Sequence, residues 1–164
     1  IFKEFIKKAI YKETASCLLV NLVIVTIITY LTLPEEELLV LIGGPQSGGF
    51  GIFPTSLIFT LLVTILLGTG MHKKMHSGEI ELTGFKGNRS LGALPKKLFF
   101  RAIVFSLCAT LVTAPIFLTA GYIVLGSEVS YVQAFVFNEM YVALLTLLVV
   151  PLIIYSSAFH QITD

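Results

Sequence analysis

Four stretches of the chain run almost without polar interruption: Ser16 to Leu33, Phe53 to Met71, Phe99 to Leu125 and Tyr131 to Phe159. Their apolar residues are continuous rather than alternating, so the two-residue period of a half-buried strand is missing and helix is expected. A helix rises about 1.5 Å per residue, and ~20 residues therefore cross a hydrocarbon core of ~30 Å. Each run falls in that length class, the third and fourth with residues to spare. Within lipid every backbone N–H and C=O must be satisfied inside the segment, which a continuous helix achieves. The pattern predicts an all-α protein: a polytopic membrane four-helix bundle forming one transmembrane domain over residues 1–164. Its helices are expected at about 16–33, 53–71, 99–125 and 131–159, with a polar loop at 72–98. No small-residue cleavage site follows the first run, which reads as a permanent span and not as a signal peptide.

Shorter patterns refine this scheme. Phe2, Phe5, Ile6, Ala9 and Ile10 fall on one side of a helix, with Lys3, Lys7, Lys8 and Lys12 largely on the other. Such a segment predicts an N-terminal interfacial amphipathic helix in the headgroup plane; an ordinary charged flank is the simpler alternative. Pro54 suits the first residue of the second helix, and Pro95 marks the start of the third. Pro115 and Pro151 are expected to kink helices three and four. The glycine-rich stretch Gly43 to Gly51 lacks the GK[ST] of a phosphate-binding loop and reads as a flexible linker, with a re-entrant segment as the alternative. Residues 72–98 are too few for an independent core. A short extension of helix two, a loop or hairpin around Glu79 to Asn88 and a basic lead-in to helix three are expected there.

Composition and charge agree with lipid as the solvent. Of 164 residues 55% are hydrophobic and only 13% charged, against about 25% charged in ordinary soluble domains. The eleven Lys and Arg side chains fall in two places. Lys3, Lys7, Lys8 and Lys12 precede the first run, and Lys73, Lys74, Lys86, Arg89, Lys96, Lys97 and Arg101 lie around the 72–98 connection. The other two connections carry only acids, Glu35, Glu36, Glu37 and Glu128. Basic residues stay cytoplasmic, so both chain ends and the 72–98 loop are expected inside (N-in, C-in). Lys3, Lys7, Lys8, Lys12, Lys96, Lys97 and Arg101 are then membrane-surface residues facing anionic lipid. Topology accounts for these cations, so no nucleic-acid partner is expected. Cys17 and Cys108 lie in apolar surroundings without a CxxC pair and read as small buried hydrophobes.

Two blocks look alike. Lys7-Lys8-Ala-Ile-Tyr-Lys12 is followed by Ser16-Cys17, and Lys96-Lys97-Leu-Phe-Phe-Arg101 by Ser106 and Cys108. Duplication of a two-helix unit explains the likeness; so does convergence, because basic and aromatic residues commonly anchor cytoplasmic helix ends. Leu94-Pro95-Lys96-Lys97 through Arg101, with Pro151-Leu-Ile-Ile-Tyr-Ser-Ser-Ala158, resembles small uncharacterised bacterial four-helix membrane proteins, including hairpins like the domain of unknown function DUF2798. The resemblance covers the second half best. It implies a bacterial inner-membrane protein and carries no activity with it.

Few residues carry candidate chemistry. Glu139, beside Asn138, is the one acid within an apolar run. Met140 to Phe159 alone supplies twenty residues, enough to span, which leaves Glu139 near the outer headgroups. A buried functional carboxyl grouped with Asn138 and Gln133 is the alternative, since intramembrane acids mark ion or proton paths. Asn21 lies one turn inside the first helix, where an interhelical hydrogen bond is expected ahead of a pathway role. Ser106, Thr110 and Thr113 share a face with Ala102 and Ala109 and read as close helix packing. His72 and His76 are four apart and so share a helix face, but they lack further ligands; with His160 they are weak metal candidates only.

No nucleophile, base and ligand set converges, so neither enzyme chemistry nor a cofactor is expected. Two readings remain. One is an oligomeric channel or transporter for a small solute or ion, motivated by Glu139, Asn138 and the hydroxyl-bearing helices. The other is a non-catalytic accessory or scaffold subunit of a larger membrane complex, whose basic loop meets an acidic partner or anionic lipid.

Overall fold

A computed structural model describes residues 2–32, 39–41, 51–78 and 94–163, with side chains over 7–31, at 41, and over 51–78 and 94–159. The glycine-rich stretch 43–50, the acids Glu35 to Glu37, the expected loop around Glu79 to Asn88, the cations Lys86 and Arg89, and the side chains of Lys3 and His160 lie outside the described residues.

Each apolar run is a helix: α1 Phe2–Thr32, α2 Ile52–His76, α3 Leu98–Leu125 and α4 Tyr131–Thr163. All four are long and apolar enough to cross a membrane, and the chain is a small integral membrane protein. The lysine-bearing residues and the first span belong to one uninterrupted helix, α1. The amphipathic segment is therefore helical, but no break separates it from the span. Likewise α2 runs on through Lys73 and Lys74 to His76. Pro54 is the third residue of α2 rather than the first; there too its missing N–H is one that no helical carbonyl would have served. Pro115 and Pro151 lie inside α3 and α4, which continue past them. At the far end of α3, Gly126 takes φ 87°, a conformation that side-chain-bearing residues rarely adopt, and stops the helix.

The order of packing differs from the order in sequence. α1 lies chiefly on α4, α3 chiefly on α2, and α2 and α4 meet in the middle. Ser56, Thr60, Thr64 and Gly68 recur every four residues on α2, and Ala102, Ser106, Thr110 and Ala114 do so on α3; all eight are buried. Small side chains let helix backbones approach closely, which matters in lipid because apolar burial alone gives helices no reason to associate. Gly68 meets Leu98 where α2 and α3 cross. α4 supplies much of the interior, with Tyr141, Val142, Leu145, Val150, Ile153 and Ile154 fully enclosed.

Two short strands tie together the ends of α1 and α3 away from the lysines, an element the sequence reading did not contain. β1 (Leu39–Val40) pairs antiparallel with β2 (Glu128–Val129), Leu39 opposite Val129 and Val40 opposite Glu128. The Leu41 N–H extends the ladder to the Ser127 carbonyl at 2.9 Å. Leu41 and Val129 are buried beneath it.

Gly121 on α3 sits against Phe137 and Leu41, whereas Gly70 on α2 has open space around it. Gly121→Ala drives a methyl into the Phe137 ring and is expected to cost about 1–3 kcal/mol. Gly70→Ala should be neutral or stabilise by up to about 1 kcal/mol through helix propensity. Unfolding in mixed micelles separates the two; equal effects would contradict the packing.

Candidate functional site

Two hydrogen bonds between side chains cross the seam between α1 and α4. Asn21 and Thr26 lie on α1, and Thr146 and Glu139 on α4, which runs antiparallel to it. Asn21 Nδ2 donates to Thr146 Oγ1 at 3.1 Å, and both residues are buried. The Thr146 hydroxyl in turn donates to the Val142 carbonyl at 2.7 Å. It thus accepts from one helix and donates within its own.

Five residues further along α1, about 7.5 Å at the helical rise, Thr26 Oγ1 donates to Glu139 Oε1 at 2.9 Å. Thr26 itself is exposed on the protein surface, while Glu139 and Asn138 are half-buried. The second carboxyl oxygen, Oε2, and the Asn138 carbonyl oxygen are both shielded and accept no hydrogen bond among the described residues. Glu139 stands eight residues inside the start of α4, about 12 Å along its axis. The carboxyl is therefore held on one oxygen and, among the described residues, enclosed without a partner on the other.

Gln133, grouped with Glu139 in the sequence reading, is committed elsewhere. Its Oε1 accepts from the Ser130 N–H at 2.8 Å, and its own N–H reaches Ser130 Oγ at 3.3 Å. Ser-x-x-Gln is a capping box that satisfies two N–H groups at the start of α4. The triad of hydroxyls on α3 also divides. Ser106 and Thr110 are buried, whereas Thr113 shares a hydrogen bond of 2.9 Å with the enclosed Tyr141 hydroxyl on α4. Neither Thr26 nor Tyr141 stood out in the sequence, because a threonine or tyrosine in an apolar helix is unremarked until a partner is brought to it.

At the lysine-rich end, Lys7, Lys8, Lys12, Lys96 and Lys97 are exposed. Arg101 is different: it is only 5% exposed, so it is packed into the protein and is not the solvated flank its position suggested. Lys74 at the end of α2 forms an ion pair with Glu13 of α1, a contact between residues 61 apart that no local pattern encodes. His72 and His76 share one exposed face, with ring centroids 4.8 Å apart. No group of three possible metal ligands occurs among the described residues. Cys17 and Cys108 are free thiols, Cys108 exposed on the lipid-facing side of α3.

No family model, curated protein or solved structure matches this chain.

The Asn21–Thr146 bond should be measurable as a coupling. In a double-mutant cycle of Asn21→Leu and Thr146→Val, an interaction energy of about 0.6 kcal/mol, at most about 1.7, is expected from the behaviour of interhelical bonds in bilayers. Purely additive effects on unfolding in bicelles would mean that the two side chains do not meet.

Proposed function

We propose that the chain is one subunit of an oligomeric channel or carrier for a small cation, the proton first among them, with Glu139 as the group that takes and releases it. The supporting observation is the state of the Glu139 carboxyl. Oε1 accepts from Thr26, and Oε2 is shielded and has no partner among the described residues. An ionised carboxylate so enclosed lacks compensation and is expensive in a membrane. A proton or a small cation on Oε2 removes that cost. The site is thus suited to a cycle of loading and unloading. Thr26 lies exposed beside it, so a neighbouring copy laid against α1 would cover the carboxyl and complete a path between subunits.

The apolar span Tyr131–Phe159 has 29 residues, about 42 Å at the helical rise, against ~30 Å of hydrocarbon. A centred span puts Glu139 some 6 Å inside the outer boundary of the hydrocarbon, within reach of outer water through a short polar approach. In this reading both chain ends face the cytoplasm of a bacterial inner membrane, with Lys7, Lys8, Lys12, Lys96 and Lys97 at anionic headgroups.

Two measurements test these statements separately. Tags or protease sites at 35–37 and within 79–93 should be accessible from opposite sides of the membrane; accessibility from one side overturns the orientation. In proteoliposomes the wild-type protein should dissipate an imposed proton or alkali-cation gradient, and Glu139→Gln should reduce that flux at least ~10-fold, as expected for loss of an essential ionisable group. Absence of flux from both proteins overturns the transport reading.

A further inference from the structure

A single shift of 89 residues relates the two halves of the chain. It carries Lys7, Lys8 and Lys12 onto Lys96, Lys97 and Arg101. It also carries β1 onto β2, Leu39 onto Glu128 and Val40 onto Val129. The two strand pairs, Leu39 with Val129 and Val40 with Glu128, then exchange places, as a two-fold axis through the ladder requires.

One buried stripe on each helix follows the same shift. Asn21, Val25 and Thr29 of α1 become Thr110, Ala114 and Leu118 of α3, and all six are buried. Ile52, Ser56, Thr60, Thr64 and Gly68 of α2 become Tyr141, Leu145, Val149, Ile153 and Ser157 of α4, and all ten are buried. Elsewhere the halves differ: Thr14 and Val63 have Ile103 and Leu152, half-buried and exposed, as equivalents, and buried Arg101, Thr146 and Ala158 have exposed Lys12, Leu57 and Thr69. The buried face of α4 is also wider, Val142, Val150, Ile154 and Ser156 answering to half-buried residues of α2.

The helix neighbours obey it too. The shift turns the α1–α4 seam into the α3–α2 seam, which are the two flanking pairs observed, and maps the central α2–α4 pair onto itself. Even the registers agree. The contact of Gly68 with Leu98 has Ser157 with Ala9 as its equivalent. Twelve residues on from Ala9 and eleven back from Ser157 stand Asn21 and Thr146, the pair found hydrogen-bonded. Convergent anchoring of helix ends accounts for the lysines alone. It does not account for one offset that also sets the strand ladder, the buried faces and the register of the seams.

We infer that the chain is two fused copies of one helix–strand–helix unit, each bearing a surface fitted to a second copy of that unit, with the two-fold axis running along the membrane normal between α2 and α4. The interaction surface is the face that the first helix of one unit presents to the second helix of the other. The two seams it forms have since diverged. Thr110, Pro115 and Leu57 stand where the α1–α4 seam has Asn21, Thr26 and Thr146, and in sequence the shift pairs Glu139 with Phe50, which lies outside the described residues. One seam of the two carries the ionisable chemistry. The two-copy construction does not depend on what Glu139 carries.

The test begins with cross-linking in the full chain, with Cys17→Ser and Cys108→Ser as background. Asn21→Cys with Thr146→Cys should form a disulfide under mild oxidation. The two-fold requires Leu57→Cys with Thr110→Cys to do so to a comparable extent, and Leu57→Cys with Val112→Cys, on the outward face of α3, to fail. A second measurement uses a circular permutant that joins residue 164 to residue 1 by a flexible linker and opens the chain within 79–93. Because the join spans ends equivalent to those of α2 and α3, the permutant should insert and form both disulfides. Cross-linking at Asn21 and Thr146 without cross-linking at Leu57 and Thr110 overturns the inference, as does a permutant that forms neither.

Discussion

Lipid offers no hydrogen bonds, and every polar group on these helices is placed under that constraint. Several short hydroxyls meet it locally, whereas those of Thr14, Ser56, Thr60, Thr110 and Ser157 are buried with no partner among the described residues. Thr64, Thr69, Thr113, Thr119 and Thr146 each donate to the carbonyl four residues back on their own helix. A threonine can therefore enter a span and ask nothing of its neighbours. An amide or a carboxyl is not satisfied by one carbonyl on its own helix, and Asn21 and Glu139 reach across to another helix, as the Thr113–Tyr141 pair also does. The Asn21–Thr146 bond thus ties one face of α1 to α4.

The same solvent explains the distribution of apolar surface. Leu19, Val23, Ile27 and Leu31 on α1 and Leu107, Leu111 and Ile116 on α3 are exposed. In water such faces would drive aggregation; in a bilayer they are ordinary. Since lipid chains are as apolar as leucine, these side chains gain little by leaving lipid for a helix interface. Association falls instead to close packing at small residues, which is where α2 and α3 meet. The outer strand ladder adds a different kind of tie, joining backbone to backbone at the end of the bundle away from the lysines.

These causes decide what could be read from the sequence. The four spans were legible because their length is set by bilayer thickness. Helix beyond the apolar runs was legible in part, from the amphipathic spacing after Phe2 and the expected extension of helix two through His76; that the first segment joins the span without a break was not, because apolarity reports only where a helix crosses lipid. The neighbour order was hidden because a helix apolar on every side carries no stripe to name its partner. Two residues per strand are too few for an alternation to show. Of the site, Asn21 and Glu139 were visible as polar residues in apolar runs, while Thr26 and Lys74 acquired meaning only once α4 and Glu13 stood beside them. The Ser130 to Gln133 cap was readable from its spacing, and it withdraws Gln133 from the carboxyl.

The two seams allow stability and function to be weighed against each other within one molecule. They share a packing geometry, yet α2 and α3 pack in theirs with Thr110 and Leu57 where the other seam has Asn21 and Thr146. An interhelical hydrogen bond in a bilayer contributes only about 0.6 kcal/mol on average, and an enclosed carboxyl with an unpartnered oxygen costs more than that. Holding α1 to α4 therefore does not require Glu139. Under the proposed reading, a group that is expensive to enclose and present in one of two related seams is kept for the chemistry it performs and not for the packing around it.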